Sequence, residues 1–336
     1  MTMKAVSLKE FGGPENFFVQ EVEKAALRNE DDVLIKVMAA GLNRADTLQR
    51  VGKYPPPPGD SEVLGLEVSG VVAEVGKNVK KFKPGDKVMS LLGGGGYAEY
   101  TVTHQGCVMP MPKNYSFIEA AAIPEAFLTA WQCLKFHGNV QKGQHVLVHA
   151  GASGVGTAAC QLVERHFGAK AVTTSSTGKI EICKNFASIC VDRTPDETGL
   201  CFAPKIKNAV DAGMDVILDP RVGETYLTED ASVVAENGKI VVLSLMGGSN
   251  VFLNSVPLLQ KRAEIIFTRL RSESMASKAR LVASFTEEVM GAIEDRTIVP
   301  AANKSFPLDD IIDAHIYLDD PKSWGKVVLT VNSPLA

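Results

Sequence analysis

The sequence predicts an α/β chain in two parts, a small irregular β barrel followed by a doubly wound parallel sheet. Three observations carry this expectation. The length, 336 residues, suits about two ordinary domains. The first ~125 residues hold short β-like runs separated by glycine and proline. Beyond them, helix-like segments alternate with short, wholly apolar strand-like segments, the rhythm of a parallel sheet covered on both faces by its crossover helices.

In the first part the strand candidates are VLIKVMAAGL, SGVVAEVG, DKVMSLL and YAEYTVT, punctuated by PPPPG at 55–59 and GGGG at 93–96. No repeat of fixed period is evident, and neither biased patch is long enough to be a linker. In the second part HVLVHA reads as a strand, TAACQLVERHF as a helix, AKAVTTS as a strand and KIEICKNF as a helix. ASICVD and MDVILD follow as strands, GETYLTEDASVVAE as a helix and KIVVLSL as a strand. After EIIFTRL the pattern shifts to a helix around 277–294, then FPLDDIIDAHIYLDD with apolar residues at helical spacing, and a terminal strand GKVVLTV.

With 45% hydrophobic and 22% charged residues, the composition is that of a soluble globular protein. A net charge of −4, with acids and bases mixed along the chain, gives no global basic footprint, so no nucleic-acid partner is expected. MTMKAVSLKEFGG lacks the apolar stretch of a secretory signal, and no run approaches the ~18 apolar residues that span a bilayer. NSPLA matches no retention, peroxisomal or prenylation signal, so the cytoplasm is the expected location. The six cysteines, Cys107, Cys133, Cys160, Cys183, Cys190 and Cys201, form no CxxC pair and read as free thiols of a reducing compartment.

The stretch HVLVHAGASGVG, 145–156, runs a strand into a glycine-rich turn that opens a helix. Such a turn presents backbone N–H groups and the positive end of the helix dipole to a pyrophosphate. Gly151, Gly154 and Gly156 supply the tight turn and the close packing, Val155 adds an amide, and Ser153 stands at the usual middle glycine. A purely structural turn is the alternative. One strand later, no Asp or Glu lies between Glu164 and Glu181, where NAD sites usually place an acid. TTSSTGK instead offers the hydroxyls of Ser175, Ser176 and Thr177 and the ammonium of Lys179, which suit a 2′-phosphate and favour NADPH. A polar strand end with a helix cap is the competing explanation.

GLNRAD at 41–46, GLEVSGVVAEVG at 65–76, KPGDKV at 83–88, GGGGYAEY at 93–100, HAGASGVG at 149–156 and LMGG at 245–248 occur in that order. Together they resemble the zinc-independent quinone oxidoreductases, the zeta-crystallin branch of the medium-chain dehydrogenase/reductase superfamily. The resemblance implies a GroES-like (chaperonin-10-like) catalytic barrel over 1–125, completed by 272–336, and a Rossmann domain over 126–271, with the active-site cleft between them. It sets Asn43 and Leu66 where zinc-dependent relatives carry a cysteine and a histidine as ligands. Neither an amide nor an alkyl chain replaces these, and Glu67 alone cannot hold a catalytic zinc, so no metal is expected.

The resemblance also implies roles for single residues. Asn43 and Thr129 match positions near the nicotinamide and its ribose. Tyr54 matches an active-site tyrosine that bonds a substrate oxygen or donates a proton; a surface tyrosine stacked on the proline run is the alternative. Ser176 and Lys179 match the phosphate-binding pair of NADPH-using members. Arg193 stands where relatives often have a tyrosine near that phosphate, either binding it or solvated. Leu245, Met246 and Gly247 match the nicotinamide side, and Leu270 and Arg271 a cofactor-side segment. Asp46 reads equally as a general acid/base or as a structural hydrogen-bond partner. His137, His145, His149 and His166 have no acid or cysteine at ligand spacing and read as packed or capping residues, and Lys261-Arg262 as a solvated helix end.

The expected activity is NADPH-dependent, zinc-free hydride transfer to a quinone, since an acceptor that takes hydride readily needs no Lewis acid. An enoyl or enone reductase acting on α,β-unsaturated carbonyls is the alternative within enzymes. An NADPH-binding structural or RNA-binding protein with little turnover is the alternative outside them. The resemblance implies a homodimer joined edge to edge near NVFLNSVPLLQKRAEIIF.

Overall fold

In the computed structural model, which describes residues 1–332, the chain forms two units, and the SPLA end of NSPLA lies outside the described residues. One unit is Met1–Leu128 together with the chain from Arg271 onward; the other is Thr129–Leu270.

The barrel unit opens with an antiparallel ribbon of β1 (Thr2–Leu8) and β2 (Phe17–Glu23). Its main sheet is built on β3 (Asp32–Gly41), β4 (Glu67–Val75), β5 (Lys87–Leu91), β6 (Tyr100–His104) and β7 (Val108–Pro110). The long strand β3 serves three partners. Its register against β4 breaks between Leu34 and Ile35 and again between Val37 and Ala39. Such irregularities bend a strand. The first half of β3, Asp32–Lys36, accordingly pairs with β6, while Ala39–Gly41 is left for a strand from the C-terminal region.

The second unit holds six parallel strands: β8 (His145–His149), β9 (Lys170–Ser175), β10 (Ile189–Asp192), β11 (Met214–Asp219), β12 (Val234–Val242) and β13 (Glu264–Phe267). Their order across the sheet is β10-β9-β8-β11-β12-β13. This is the dinucleotide-binding order 3-2-1-4-5-6, in which ligands sit outside the carboxyl ends of the strands where the order reverses. Here that point lies between β8 and β11. Val146, Leu147, Ile217, Ile240 and Val241 are fully buried, as strands covered on both faces require.

The chain then returns to the barrel unit with β14 (Ala302–Pro307) and β15 (Lys326–Thr330), which extend the sheet in the order β14-β15-β3-β4-β5-β7. Val33, Ile35, Val37, Val68, Val72, Val88 and Leu329 form its core. The helix Ile311–Asp319 closes that core with Ile311, Ala314, His315 and Leu318, the stripe its spacing predicts.

Three expectations need adjustment. The helix expected through GETYLTEDASVVAE ends at Val233, because Val234 already pairs with Met214 as the start of β12. KIEICKNF yields only a tight turn at Thr177–Lys179 and a short helix Ile180–Cys183. The helix around 277–294 is two, Met275–Glu288 and Met290–Glu294, parted at Val289. Among the described residues no helix is long and apolar enough to cross a membrane.

Candidate functional site

In the barrel unit the expected residue Asn43 sits at the centre of a buried polar cluster. Strand β3 ends at Gly41, and Asn43 caps the helix Arg44–Arg50 from an extended backbone. The Asn43 amide nitrogen donates to Glu67 Oε1 at 3.0 Å, and its amide oxygen accepts from Lys326 Nζ at 2.7 Å. Lys326 also donates to the Leu42 carbonyl at 2.7 Å and pairs with Glu67 Oε1 at 2.5 Å. All three ammonium donors are thereby used. Lys326 is 4% exposed and Glu67 not at all, so this is a buried ion pair with its remaining valences satisfied. Glycine is required at 41, because a Cβ there would collide with the Glu67 carboxylate and the Ala121 carbonyl.

Two more carboxyls adjoin the cluster. Asp46 Oδ2 accepts from the Asn43 backbone N–H at 2.7 Å and from the Tyr97 hydroxyl at 2.8 Å, and Asp46 is wholly buried. Burial pushes its pKa up to about 6 against the pull of those bonds. Of its two expected roles, the structural one is what this geometry serves: Asp46 fixes the backbone on which Asn43 stands. Glu125, whose backbone N–H donates to Glu67 Oε2 at 2.8 Å, was not singled out from sequence. Burial, then the neighbouring Glu67 carboxylate, pushes Glu125 up to about 8.

That shift predicts a pH effect. A carboxyl raised in the folded state stabilises the fold fully below its ordinary value, and the contribution is lost as pH rises through the folded value. Glu125→Gln does not titrate, so its stability relative to wild type should rise with pH by on the order of 2 kcal/mol between about pH 5 and about pH 9. Urea unfolding at the two pH values checks this; a pH-independent difference would refute it.

Tyr54 is half-buried, with the Arg271 guanidinium 5.1 Å from its ring centroid. Arg271 is 4% exposed and donates to the carbonyls of Tyr54 and Gly93 and to Gln49 Oε1. Arg271 was expected on the cofactor side. The structure instead commits its guanidinium to the barrel unit's own loops, where it fixes Tyr54 by a cation–π contact and a backbone bond. Leu270 is 5% exposed, a buried side chain.

In the second unit, the turn after β8 begins at Ala150, held in the left-handed region at φ 56° by the bond from Ser153 N to its carbonyl, 2.9 Å. Gly151 N donates to Thr174 O, tying the turn to the end of β9. Ser153 is the N-cap of the helix Gly154–Gln161, and its hydroxyl accepts from Gly156 N at 3.0 Å. The middle-glycine position is thus filled by a capping side chain. The amides of Gly154 and Val155, first in the helix, have no intrahelical acceptor and suit a pyrophosphate. Gly156 has to be glycine, since a Cβ there would strike the Ala150 carbonyl and the Gly151 backbone. Beneath the turn, His149 bonds Thr174 Oγ1 and Asp230 Oδ1, both at 2.8 Å, and burial pushes it down to about 4. It is a packed histidine, as expected.

At the end of β9, Ser176 precedes the turn Thr177–Lys179, half-buried, with its hydroxyl not used for capping. Lys179 is half-buried in the same turn. Ser175 requires a correction: it is 3% exposed, so its hydroxyl is packed inside the protein. As the last residue of an inner strand, it turns into the packing of the helix that follows. Arg193 donates its backbone N–H to Ser175 O at 2.9 Å, so this half-buried arginine lies beside the serine–lysine turn. Asp192, also not weighed from sequence, accepts from the backbone and hydroxyl of Thr194 at 2.8 and 2.7 Å.

Leu245 and Met246 are 47% and 51% exposed on the turn after β12. Met246 N and Gly247 N donate to Pro220 O and Arg221 O, which ties this turn to the one after β11 at the carboxyl edge of the sheet. Exposed apolar side chains at that edge suit a flat ring. Thr129 lies half-buried on the helix Pro124–Trp131.

The donor set around Asn43 does not fit a zinc ion. Asn43 offers an amide, Leu66 an alkyl chain, and the Glu67 carboxylate already pairs with Lys326. Among the described residues no group of three or more His, Cys, Asp or Glu could hold a metal.

Residues 29–113 match the alcohol dehydrogenase GroES-like domain, and 189–329 match the zinc-binding dehydrogenase family. The chain is 31% identical to human quinone oxidoreductase over 97% of both chains. Among solved structures, it resembles the CurK enoyl reductase with a TM-score of 0.82 at 27% identity, covering 98% of this chain and 99% of that one. A mycobacterial protein complexed with NADPH superposes with a TM-score of 0.82 at 29% identity, over the same shares of the two chains.

Proposed function

The chain belongs to the quinone oxidoreductase (zeta-crystallin) family of the medium-chain dehydrogenase/reductase superfamily, and on that premise we propose that it is a cytosolic, NADPH-dependent, zinc-independent reductase of quinones. The observation that carries this reading is the Lys326–Glu67–Asn43 cluster, where an ammonium engages the carboxylate that a metal would need. With no Lewis acid to polarise a carbonyl, the acceptor has to be one that takes hydride readily, and a quinone does.

When bound, NADPH supplies hydride from its nicotinamide ring. The protein's share is to bind and orient. The Gly154 and Val155 amides hold the pyrophosphate, and the Ser176 hydroxyl and Lys179 ammonium hold the 2′-phosphate, with Arg193 beside them. Leu245, Met246 and Gly247 cover the nicotinamide side, and Asn43 and Thr129 orient its ribose. Tyr54, fixed by Arg271, donates its phenol hydrogen bond to the acceptor oxygen as charge builds there.

The test is NADPH oxidation with ortho-quinones, para-quinones and enones, run beside NADH. Quinones should turn over fastest, and faster with NADPH. Likeness to an enoyl reductase structure supports a second reading, reduction of α,β-unsaturated carbonyls, which wins if enones are the better acceptors. NADPH binding without turnover of any acceptor would favour a binding protein over both.

We also propose a homodimer through β13. Among the described residues this edge strand pairs only with β12, and Phe267 on it is 66% exposed, as are Leu259 at 81% and Phe252 at 87% just before it. Light scattering should give twice 36.0 kDa, and Phe267→Lys should shift the mass toward one chain. A wild-type mass near one chain would refute the dimer.

A further inference from the structure

The barrel unit holds a cavity of about 310 Å³ that, apart from Gly93, no residue of the Asn43 and Arg271 clusters lines. At roughly 30 Å³ per water-sized group it has room for about ten such groups. Its walls are mixed: Met3, Val63, Leu92 and Met275 give an apolar part, and Ser61, Thr101, Thr103 and His104 a polar one.

Lys278 lines this cavity from the helix Met275–Glu288. It is only 7% exposed, and its ammonium makes no hydrogen bond or ion pair with any described residue. Every other buried lysine or arginine described above satisfies its charge within the protein: Lys326 on Glu67 and two carbonyl-type oxygens, Arg271 on two carbonyls and Gln49. The ammonium keeps access to the cavity and no anion among the described residues bonds it, so its natural complement is an anion arriving from outside. Asp60 lines the same cavity, half-buried, with its carboxylate against the Cα of Gly93 where any side chain would collide with it. Arg28 also lines it, but its guanidinium is engaged by Asp32 and the Gly59 carbonyl.

We propose that this cavity is a binding site for a small organic monocarboxylate, with the carboxylate on Lys278 and an aliphatic or aromatic body against the apolar wall. Asp60 sets the charge limit. A monoanion gains more from the buried ammonium than it loses to a more exposed carboxylate, whereas a dianion is repelled. The site is independent of the quinone reading, because it rests on none of the residues that reading uses.

Isothermal titration of the full chain with benzoate and hexanoate, against benzamide and inorganic phosphate, tests it. Both carboxylates should bind wild type. Benzamide, of the same shape without charge, and phosphate should bind at least tenfold more weakly. Lys278→Met should weaken benzoate at least tenfold, since it removes the cation offered to the carboxylate while keeping the length of the side chain. Asp60→Asn, in a chain that keeps Lys278, should narrow the gap between benzoate and phosphate. The proposal is overturned if benzoate and benzamide bind wild type alike, if neither carboxylate binds at millimolar concentration, or if Lys278→Met binds benzoate as wild type does.

Discussion

Lys326→Met should destabilise the barrel unit by about 3–5 kcal/mol, the usual result of removing one partner of a buried ion pair. The loss arises less from the missing attraction than from what remains. Glu67 is fully buried, and without Lys326 its carboxylate keeps only the Asn43 amide and the Glu125 N–H as partners. The double variant Lys326→Met/Glu67→Leu should therefore recover most of the stability, because well-packed apolar replacements of a buried pair are often neutral. Activity should not recover with it. Lys326 orients the Asn43 amide oxygen at 2.7 Å, and a misplacement of about 1 Å at such a group can cost roughly 10²-fold in rate. Urea unfolding read beside kcat/KM for NADPH oxidation separates the two effects. Lys326 is a positioning residue if the double variant is stable yet at least tenfold slower; wild-type kcat/KM in that variant would reduce it to a structural role.

This cluster also marks where sequence reading stops. The Rossmann half was legible because its signals are local: β8, the glycine turn and the helix N-terminus lie within residues 145–156, and Ser176 and Lys179 follow one strand later. Asn43 was singled out through its motif. Its partner was not, since Lys326 lies 283 residues away and GKVVLTV reads only as a strand. Arg271 likewise reaches Tyr54 and Gln49 across 217 and 222 residues. Strand parity failed at Ser175 for a different reason. Ala171 to Ser175 are all buried, so alternation between polar and apolar residues carries no sign of which hydroxyl faces out. The helix end at Val233 was hidden because the same β-branched run suits both the last helical turn and the first residues of β12.

Lys179→Ala should raise KM for NADPH by roughly 10- to 100-fold, the range that a charge-assisted contact of about 1.5–3 kcal/mol supplies, and leave KM for NADH within about twofold. The asymmetry is the informative part. Lys179 faces the only group in which the two cofactors differ under the proposed reading, so a loss shared equally by both would mean that the residue supports the fold and not the phosphate. Ser176→Ala should follow in the same direction with a smaller effect, since a neutral hydroxyl contributes less than an ammonium. Arg193→Ala reports on the neighbouring arginine: its backbone bond to Ser175 O survives the change, so any NADPH-specific loss is assignable to the guanidinium. A carboxylate placed at the strand end should invert the preference. Ser176→Asp combined with Lys179→Ala presents an acceptor for ribose hydroxyls and repels a 2′-phosphate, as the acid of NAD-dependent sites does. The double variant should therefore favour NADH in kcat/KM, and retained preference for NADPH would place the phosphate elsewhere than the end of β9.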